Sequence, residues 1–310
     1  MPHAVAGEED QRDAAALTAF YENRSASPLW VTPSGLNDKA NSAIAEIQNA
    51  GAFGLDAKTF ELPAAALDTA PENLAEAELK LSAAALLYAR HARGGRIMKP
   101  SEQLNSNLDR KPQLIDPKLV LDGLAAYDDA GAYLRSLHPK HAQFEKLRQA
   151  YLKEAGTKSG ESPVKLNANA KRLRANMEMW RWMWDDMGDV HVFNNIPEFM
   201  QRVYKDGVVI RSEKIVAGML DKQSSIFSRP LKYVVLRPAW RVPESIMVHE
   251  LWPSLRRGGG LMRQYGLQLE TKDGKVLDWR KIDWSKDDIR NYIVTQPPGG
   301  KSVLGVVKFT

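Results

Sequence analysis

The chain has 310 residues, of which 44% are hydrophobic and 26% charged, and its formal net charge is +5. This length suits about two domains with buried cores, and the composition excludes disordered, fibrous and membrane-embedded classes. The chain has no cysteine, which excludes disulfides, thiolate metal sites and a cysteine nucleophile within these residues. The 43 basic and 38 acidic residues are interspersed, so we interpret the positive surplus mostly as solvated surface, with binding of an acidic polymer as the alternative.

No targeting or anchoring segment is visible in the sequence. The first ten residues, MPHAVAGEED, have neither the basic start nor the apolar run of a secretory signal. No later stretch approaches the roughly 18 apolar residues of a membrane span. We therefore expect no transmembrane segment in this chain.

The first half, rich in alanine and leucine, predicts an all-helical domain over residues 1–153. In its third helix, Leu79, Ala83, Leu86 and Leu87 are predicted to share one face. Apolar residues recur at helical spacing in five stretches, at 14–21, 37–49, 72–93, 117–127 and 142–154.

A polar Gly/Ser-rich run, KEAGTKSGESP at 153–163, predicts a flexible connector over residues 154–165. A helix is predicted to follow from Leu166, with Met177 and Trp180 on its apolar face and Arg181 turned away from that face. Core packing is the interpretation for the tryptophans of this helix, and a stacking platform for bases or sugars is the alternative.

Beyond Asp189 the sequence predicts strands, because β-branched and aromatic residues alternate with turn residues. Hairpins are predicted at 199–211 and 267–279, each around an Asp-Gly pair. Further strands are predicted at 214–218 and 232–236. Strand runs without regular intervening helices favour an antiparallel or mixed sheet, so the fold class is α+β.

Two histidine patterns suggest a metal site, and both fail on spacing. His249-Glu250 opens like a zinc-protease helix, but Pro253 stands where the second histidine belongs. His138 and His141 can share a helical face, yet Pro139 lies between them and acidic ligands are lacking nearby. We expect no metal.

The remaining basic motifs do not predict a nucleic-acid partner. Arg256-Arg257 precedes the run 258–260 of three glycines, for which we favour a loop over a phosphate grip through backbone amides. Neither this cluster nor the basic stretch 171–174 is accompanied by a base-reading motif. We expect no nucleic-acid binding.

Two runs in the second half, PAWRVPESI at 238–246 and QPPGGKSVLGVVKF at 296–309, resemble the L,D-transpeptidases with a YkuD-type catalytic domain. Arg241 and Ser302 depart from that pattern, since both stand where relatives commonly have asparagine. Earlier fragments resemble the helical scaffold domain of one large-enzyme branch of this family: PLW at 28–30, GAFGLD at 51–56, YARHARGGR at 88–96 and HPKHAQFEKL at 138–147.

The resemblance implies a helical scaffold domain at 1–153 and the first part of a YkuD-type domain at 166–310. Residues 244–295 resemble the capping subdomain that is inserted over the active-site cleft. In this family the catalytic His and Cys lie in a Ser-His-Gly-Cys loop, which we expect beyond Thr310, and an export leader is expected ahead of Met1. On this view the chain is truncated, and its incomplete sheet is expected to make it poorly soluble.

The activity implied is peptidoglycan cross-linking of the 3-3 type, with peptidoglycan stem peptides as partners, no cofactor, and a periplasmic or cell-envelope location. No catalytic residue is expected within the chain, which is predicted to be inactive on its own. A non-catalytic peptidoglycan-binding or regulatory relative is the alternative, and a coincidental match to an unrelated fold is a third possibility. The candidates for substrate contact lie at the start and end of the capping subdomain and are Trp240, Pro243, Gln296, Pro298 and Gly299. The competing interpretations are that Trp240 packs in the core and that the prolines and glycine only shape hinge turns.

Overall fold

The computed structural model describes residues 7–64, 67–156, 166–300 and 302–310. It divides into two compact units, Met1–Ser228 and Arg229–Thr310. Helices dominate the first half and short strands the second, as the predicted α+β class requires. Of the predicted connector, residues 157–165 lie outside the described residues, so the domain limits stay a prediction.

The first unit begins with helices whose ends follow local sequence signals. Asn37 caps α2 by accepting the amide of Ala40 at 2.9 Å, and Gly95, with φ of 85°, ends α3. The helices are α1 (Glu8–Glu22), α2 (Asp38–Gln48), α3 (Pro71–Gly94), α4 (Pro100–Gln103), α5 (Pro117–Ala126), α6 (Ala130–Ser136), α7 (Ala142–Ala155) and α8 (Ala168–Trp180).

The central helix α3 buries only part of the face that the sequence predicts. Leu79 is 52% exposed and Ala83 is also exposed, whereas Leu81, Ala85 and Tyr88 are fully buried. Small alanines on the buried face allow α1, α2, α5 and α6 to pack closely against α3. Of the predicted face, Leu86 is buried and Leu87 packs against the core, so the prediction is wrong only at Leu79 and Ala83.

Helix α8 packs against α7, and the two share a core with Phe53 and Phe144. Met177 is buried, and Trp180 packs against this core at partial exposure, so the core interpretation for the α8 tryptophan agrees with the structure. The prediction that Arg181 turns away is wrong, because its side chain is 1% exposed.

The end of the first unit is an antiparallel sheet with order β4-β5-β6. The hairpin between β5 and β6 turns at Asp206 and Gly207, whose φ values of 50° and 76° fit the predicted Asp-Gly turn. The predicted strand at 214–218 is wrong, since β6 ends at Lys214 and Val216 is 99% exposed. The strands of this unit are β1 (Val31–Thr32), β2 (Gly35–Leu36), β3 (Leu108–Asp109), β4 (Val190–Asn195), β5 (Met200–Lys205), β6 (Val208–Lys214) and β7 (Ile226–Phe227).

The second unit contains an antiparallel sheet of order β11-β10-β12-β9, and β13 pairs separately with β8. Its short helices are α9 (Glu244–Ile246), α10 (Trp252–Arg256) and α11 (Gly260–Gln264), with a π-helical turn at Met247–Leu251. Its strands are β8 (Val234–Leu236), β9 (Trp240–Arg241), β10 (Gln268–Glu270), β11 (Val276–Leu277), β12 (Ile293–Gln296) and β13 (Val307–Phe309). Among the described residues, none of the helices is both long and apolar enough to cross a membrane.

Candidate functional site

The candidate site lies at the paired strands β9 and β12 of the second unit, between which the chain forms α9, α10, α11 and the strands β10 and β11 of the same sheet. Strands β9 and β12 are antiparallel neighbours, and the amide of Val242 donates to the carbonyl of Val294 at 2.9 Å. All residues between β9 and β12, called the insertion here, therefore start and finish side by side. The insertion has its own core, in which Met262, Leu269 and Ile289 are at most 1% exposed.

Two of the five predicted residues meet at this junction. Gln296 of β12 lies directly opposite Trp240 of β9 in the sheet register. Directly opposite residues of an antiparallel pair project to the same face, with Cβ atoms about 4.5–5.5 Å apart. Trp240 is partly buried against the core of the insertion, which agrees with the core-packing interpretation.

Gln296 is 2% exposed and holds two segments together through its amide group. Its Nε2 donates to the carbonyl of Tyr265 at 2.7 Å, and its Oε1 accepts the amide of Val303 at 2.9 Å. The first bond joins β12 to the end of α11, and the second fixes the turn that follows β12. Gln296 thus positions backbone, and a neutral amide is neither a nucleophile nor an acid or base at ordinary pH.

The other three predicted residues are exposed and lie in the segments that follow β9 and β12. Pro243 precedes α9, where its carbonyl accepts the amide of Met247 at 3.0 Å. Pro298 and Gly299 lie in the turn after β12, where the amide of Ser302 donates to the carbonyl of Gly299 at 3.0 Å. Their role in substrate contact stays a prediction.

The rejected histidine patterns have ordinary structural roles. His138 is buried, with Nε2 3.0 Å from the hydroxyl of Tyr88 and its ring stacked on Phe53, and burial holds the pKa of its imidazole well below the usual value. His141 Nε2 instead lies 2.8 Å from the carbonyl of Trp184. His249 is exposed in the π-helical turn. Within the described ranges, no three His, Cys, Asp or Glu side chains group as metal ligands would.

Sequence reasoning missed the arginines that stack on tryptophans in the insertion. The guanidinium carbon of Arg256 lies 4.5 Å from the ring centre of Trp252, and that of Arg263 lies 5.8 Å from the ring centre of Trp279. The Trp252–Arg256 contact has the i,i+4 spacing of helix neighbours, whereas the Arg263–Trp279 contact joins residues sixteen positions apart and has no local sequence signal. The other hint was the Arg256-Arg257 pair itself.

A helix-rich first half that precedes short-stranded sheets, with a long insertion between two adjacent strands, defines a two-part α+β protein. Residues 15–150 match the family described as a scaffold domain, and residues 189–302 match the L,D-transpeptidase catalytic domain. The chain belongs to the L,D-transpeptidase family.

One curated relative extends this comparison. A Haemophilus influenzae protein, named provisionally as an L,D-transpeptidase, is 26% identical over 155 residues. The alignment covers 49% of this chain and 29% of that protein. The chain therefore spans less than a third of the length of this relative.

Proposed function

We propose that the protein to which these residues belong is a peptidoglycan L,D-transpeptidase that forms 3-3 cross-links by cysteine acyl transfer. The observation that supports this proposal best is the succession of the two family matches, the scaffold domain at 15–150 and the catalytic domain at 189–302. On this proposal the protein acts in the cell envelope, and its partners are the stem peptides of peptidoglycan.

The proposed chemistry requires a thiolate. A peptide amide is a poor electrophile, so the thiolate attacks the donor carbonyl, the terminal D-alanine leaves as the amine, and an acyl thioester remains. The side-chain amine of a second stem then attacks the thioester and releases the thiol. None of the 310 residues is a cysteine, so the nucleophile in this proposal belongs to polypeptide other than these residues.

In the same proposal, the insertion limits access of water to the thioester. Hydrolysis competes with attack by the amine, so a folded cover over the cleft favours transfer. Support comes from the separate core of the insertion and from Gln296, which fixes both α11 and the turn after β12. Such a cover acts as one body and not as a loose loop.

A second candidate is a non-catalytic relative that binds peptidoglycan or regulates its cross-linking. The lack of cysteine in the chain favours this candidate. Scaffold and insertion then serve as binding surfaces only.

Intact-mass measurement after treatment with a carbapenem, which acylates a reactive thiol, distinguishes the two candidates. We expect no adduct on the 310-residue chain. We expect a single adduct on the protein expressed from the complete gene, and none after its cysteine is changed to alanine. An adduct on the 310-residue chain contradicts the thiolate proposal, and a complete gene product that binds peptidoglycan but lacks cysteine supports the second candidate.

A further inference from the structure

One part of the insertion carries positive charge that no acidic residue offsets. From Leu251 to Leu269 the sequence contains Arg256, Arg257 and Arg263 and no Asp or Glu. All three arginines are exposed, two of them at the end of α10 and one on α11. Among the described residues, none of the three forms an ion pair with a carboxylate.

Two of these guanidinium groups are held in place rather than free in solvent. Arg256 stacks on Trp252 at 4.5 Å, and its Nε donates to the carbonyl of Trp284 at 3.1 Å. Arg263 lies over Trp279 at 5.8 Å, and its Nη1 donates to the carbonyl of Gly258 at 2.7 Å. Each group therefore keeps several N–H donors for a ligand, with less side-chain entropy to lose on binding.

The same two rings carry a second pair of arginines that serves as an internal comparison. Arg280 lies 5.7 Å from the ring centre of Trp279, and Arg290 lies 5.9 Å from that of Trp252. Their charges are neutralised, because Arg280 pairs with Asp278 at 2.8 Å and Arg290 pairs with Asp288 at 3.0 Å. Of the four arginines that lie over these two rings, the two without an ion pair in the described part of the chain thus both belong to the α10–α11 segment.

The glycine run between the two helices forms a hydrogen-bonded turn. The amide of Gly259 donates to the carbonyl of Ser254 at 2.7 Å, and that of Gly258 donates to the carbonyl of Leu255 at 3.1 Å. These amides are used within the turn, which disfavours a phosphate grip through the backbone. Side chains, and not amides, are the available donors here.

We propose that Arg256, Arg257 and Arg263 form a carboxylate-binding surface for the stem peptides of peptidoglycan. The planar fork of a guanidinium matches the two oxygens of a carboxylate, and stem peptides end in carboxylates. The assignment of the ligand depends on the proposed function. The surface binds the polymer to the insertion and takes no part in the acyl transfer itself.

The test measures retention of the 310-residue chain by purified peptidoglycan sacculi at increasing salt concentration. Replacing the three arginines together, R256Q/R257Q/R263Q, is expected to weaken binding about tenfold at low salt, because each exposed ion pair contributes a factor of about two. The lysine variant R256K/R257K/R263K keeps the charge without the fork and is expected to lose less than the glutamine variant. Circular dichroism of each variant checks that the fold is kept.

The matched control is K272Q/K275Q/K281Q, which removes three exposed positive charges from the same insertion. We expect less than a twofold change in binding for this control. Sacculi whose carboxylates have been converted to amides are expected to bind the unaltered chain and the arginine variant equally weakly. Equal losses in the two triple variants, or strong binding to amidated sacculi, overturn the proposal.

A chain that does not bind sacculi at all also overturns this surface. That result does not affect the transpeptidase proposal, which is tested separately by the carbapenem measurement on the complete gene product. If the complete gene product forms no carbapenem adduct but the chain binds sacculi through the three arginines, the results support a non-catalytic binding relative and also support the arginine surface.

Discussion

At the scale of single residues, the buried carboxylate of Glu178 stabilises the chain segment that follows α3. It is 3% exposed, its Oε1 accepts the amides of Arg96 and Ile97, and its Oε2 pairs with Arg181 at 3.7 Å. Gly95 is required beside it, since a Cβ there would lie 2.6 Å from Oε1. One side chain thus ties α8 to the end of α3.

Glu178→Ala is expected to destabilise the chain by about 3–5 kcal/mol, because it leaves a buried guanidinium uncompensated. Burial lowers the pKa of Arg181 to about 10, and Glu178 is the main group that opposes this shift. Chemical denaturation followed by circular dichroism measures the free energy of unfolding.

The control is Glu213→Ala, which removes an exposed partner of Arg211 from an ion pair of 2.9 Å. Exposed pairs contribute about 0–1 kcal/mol. Similar losses in the two variants argue against a buried ion pair at Glu178.

The role of Arg181 shows what periodicity does not reveal at this scale. Its place in the sequence lies off the apolar stripe of α8, and that placement predicted an exposed side chain. The structure buries it because carbonyl groups of Ala92 and Phe53, 3.1 and 2.8 Å away, accept its N–H groups. These acceptors come from distant segments, so single-sequence patterns do not indicate them.

At the scale of elements, the turn between α10 and α11 depends on Gly259. Its φ is 68°, and a Cβ at this position would lie 2.3 Å from the ring of Trp279. Gly259→Ala is expected to cost about 2–4 kcal/mol, since a left-handed alanine costs about 1–2 kcal/mol before the clash is counted. Denaturation followed by tryptophan fluorescence, to which Trp279 and three further tryptophans of this unit contribute, measures the loss.

Gly260→Ala is the matched control, because a Cβ there has no neighbour within 4 Å and its φ is not positive. Its expected effect is within about 1 kcal/mol of zero. If Gly260→Ala destabilises the unit as much as Gly259→Ala, contact with the Trp279 ring is not the cause.

Elements with strong local signals were predictable, and those set by distant partners were not. The Asp-Gly pair of the 199–211 hairpin fixes its turn locally, and the structure confirms it. The short helices α4 and α6 were missed because each has barely one or two turns of pattern. The 214–218 segment has strand-forming residues, but its pairing with β5 stops at Lys214, and only the amide of Ile215 still donates to Phe199.

At the scale of the whole molecule, the family followed from motif order, and the site only in part. Trp240 and Gln296 were each named from motif position, but their pairing depends on the register of β9 and β12. Register arises from hydrogen bonds between strands more than fifty residues apart, which no local pattern encodes. The sequence itself shows the basic residues of the arginine surface, whereas their contacts with Trp252 and Trp279 were found only in the structure.

The sheet β4-β5-β6 leaves apolar side chains exposed, and this has a consequence for the chain in solution. On its edge strand β6, Val208 is 63% and Ile210 is 59% exposed, and Ile210 lies at a β-bulge in the pairing with β5. An exposed apolar edge strand favours pairing with another chain. We therefore expect concentration-dependent self-association of the 310-residue chain, measured by light scattering coupled to size-exclusion chromatography.

Charges on that edge should oppose the association, because each lysine adds repulsion and removes apolar area from the contact. For V208K/I210K we expect the concentration at half-association to rise about a hundredfold, since burial of each of the two side chains contributes about 1.5 kcal/mol and each 1.4 kcal/mol corresponds to tenfold in affinity. Leu119→Lys on α5 is the control, because Leu119 is equally exposed at 60% but lies on a helix without free strand hydrogen bonds. If Leu119→Lys reduces association as much as the double variant, general surface hydrophobicity and not the β6 edge drives the association. A monomeric mass at every concentration shows that the chain does not self-associate and contradicts the prediction.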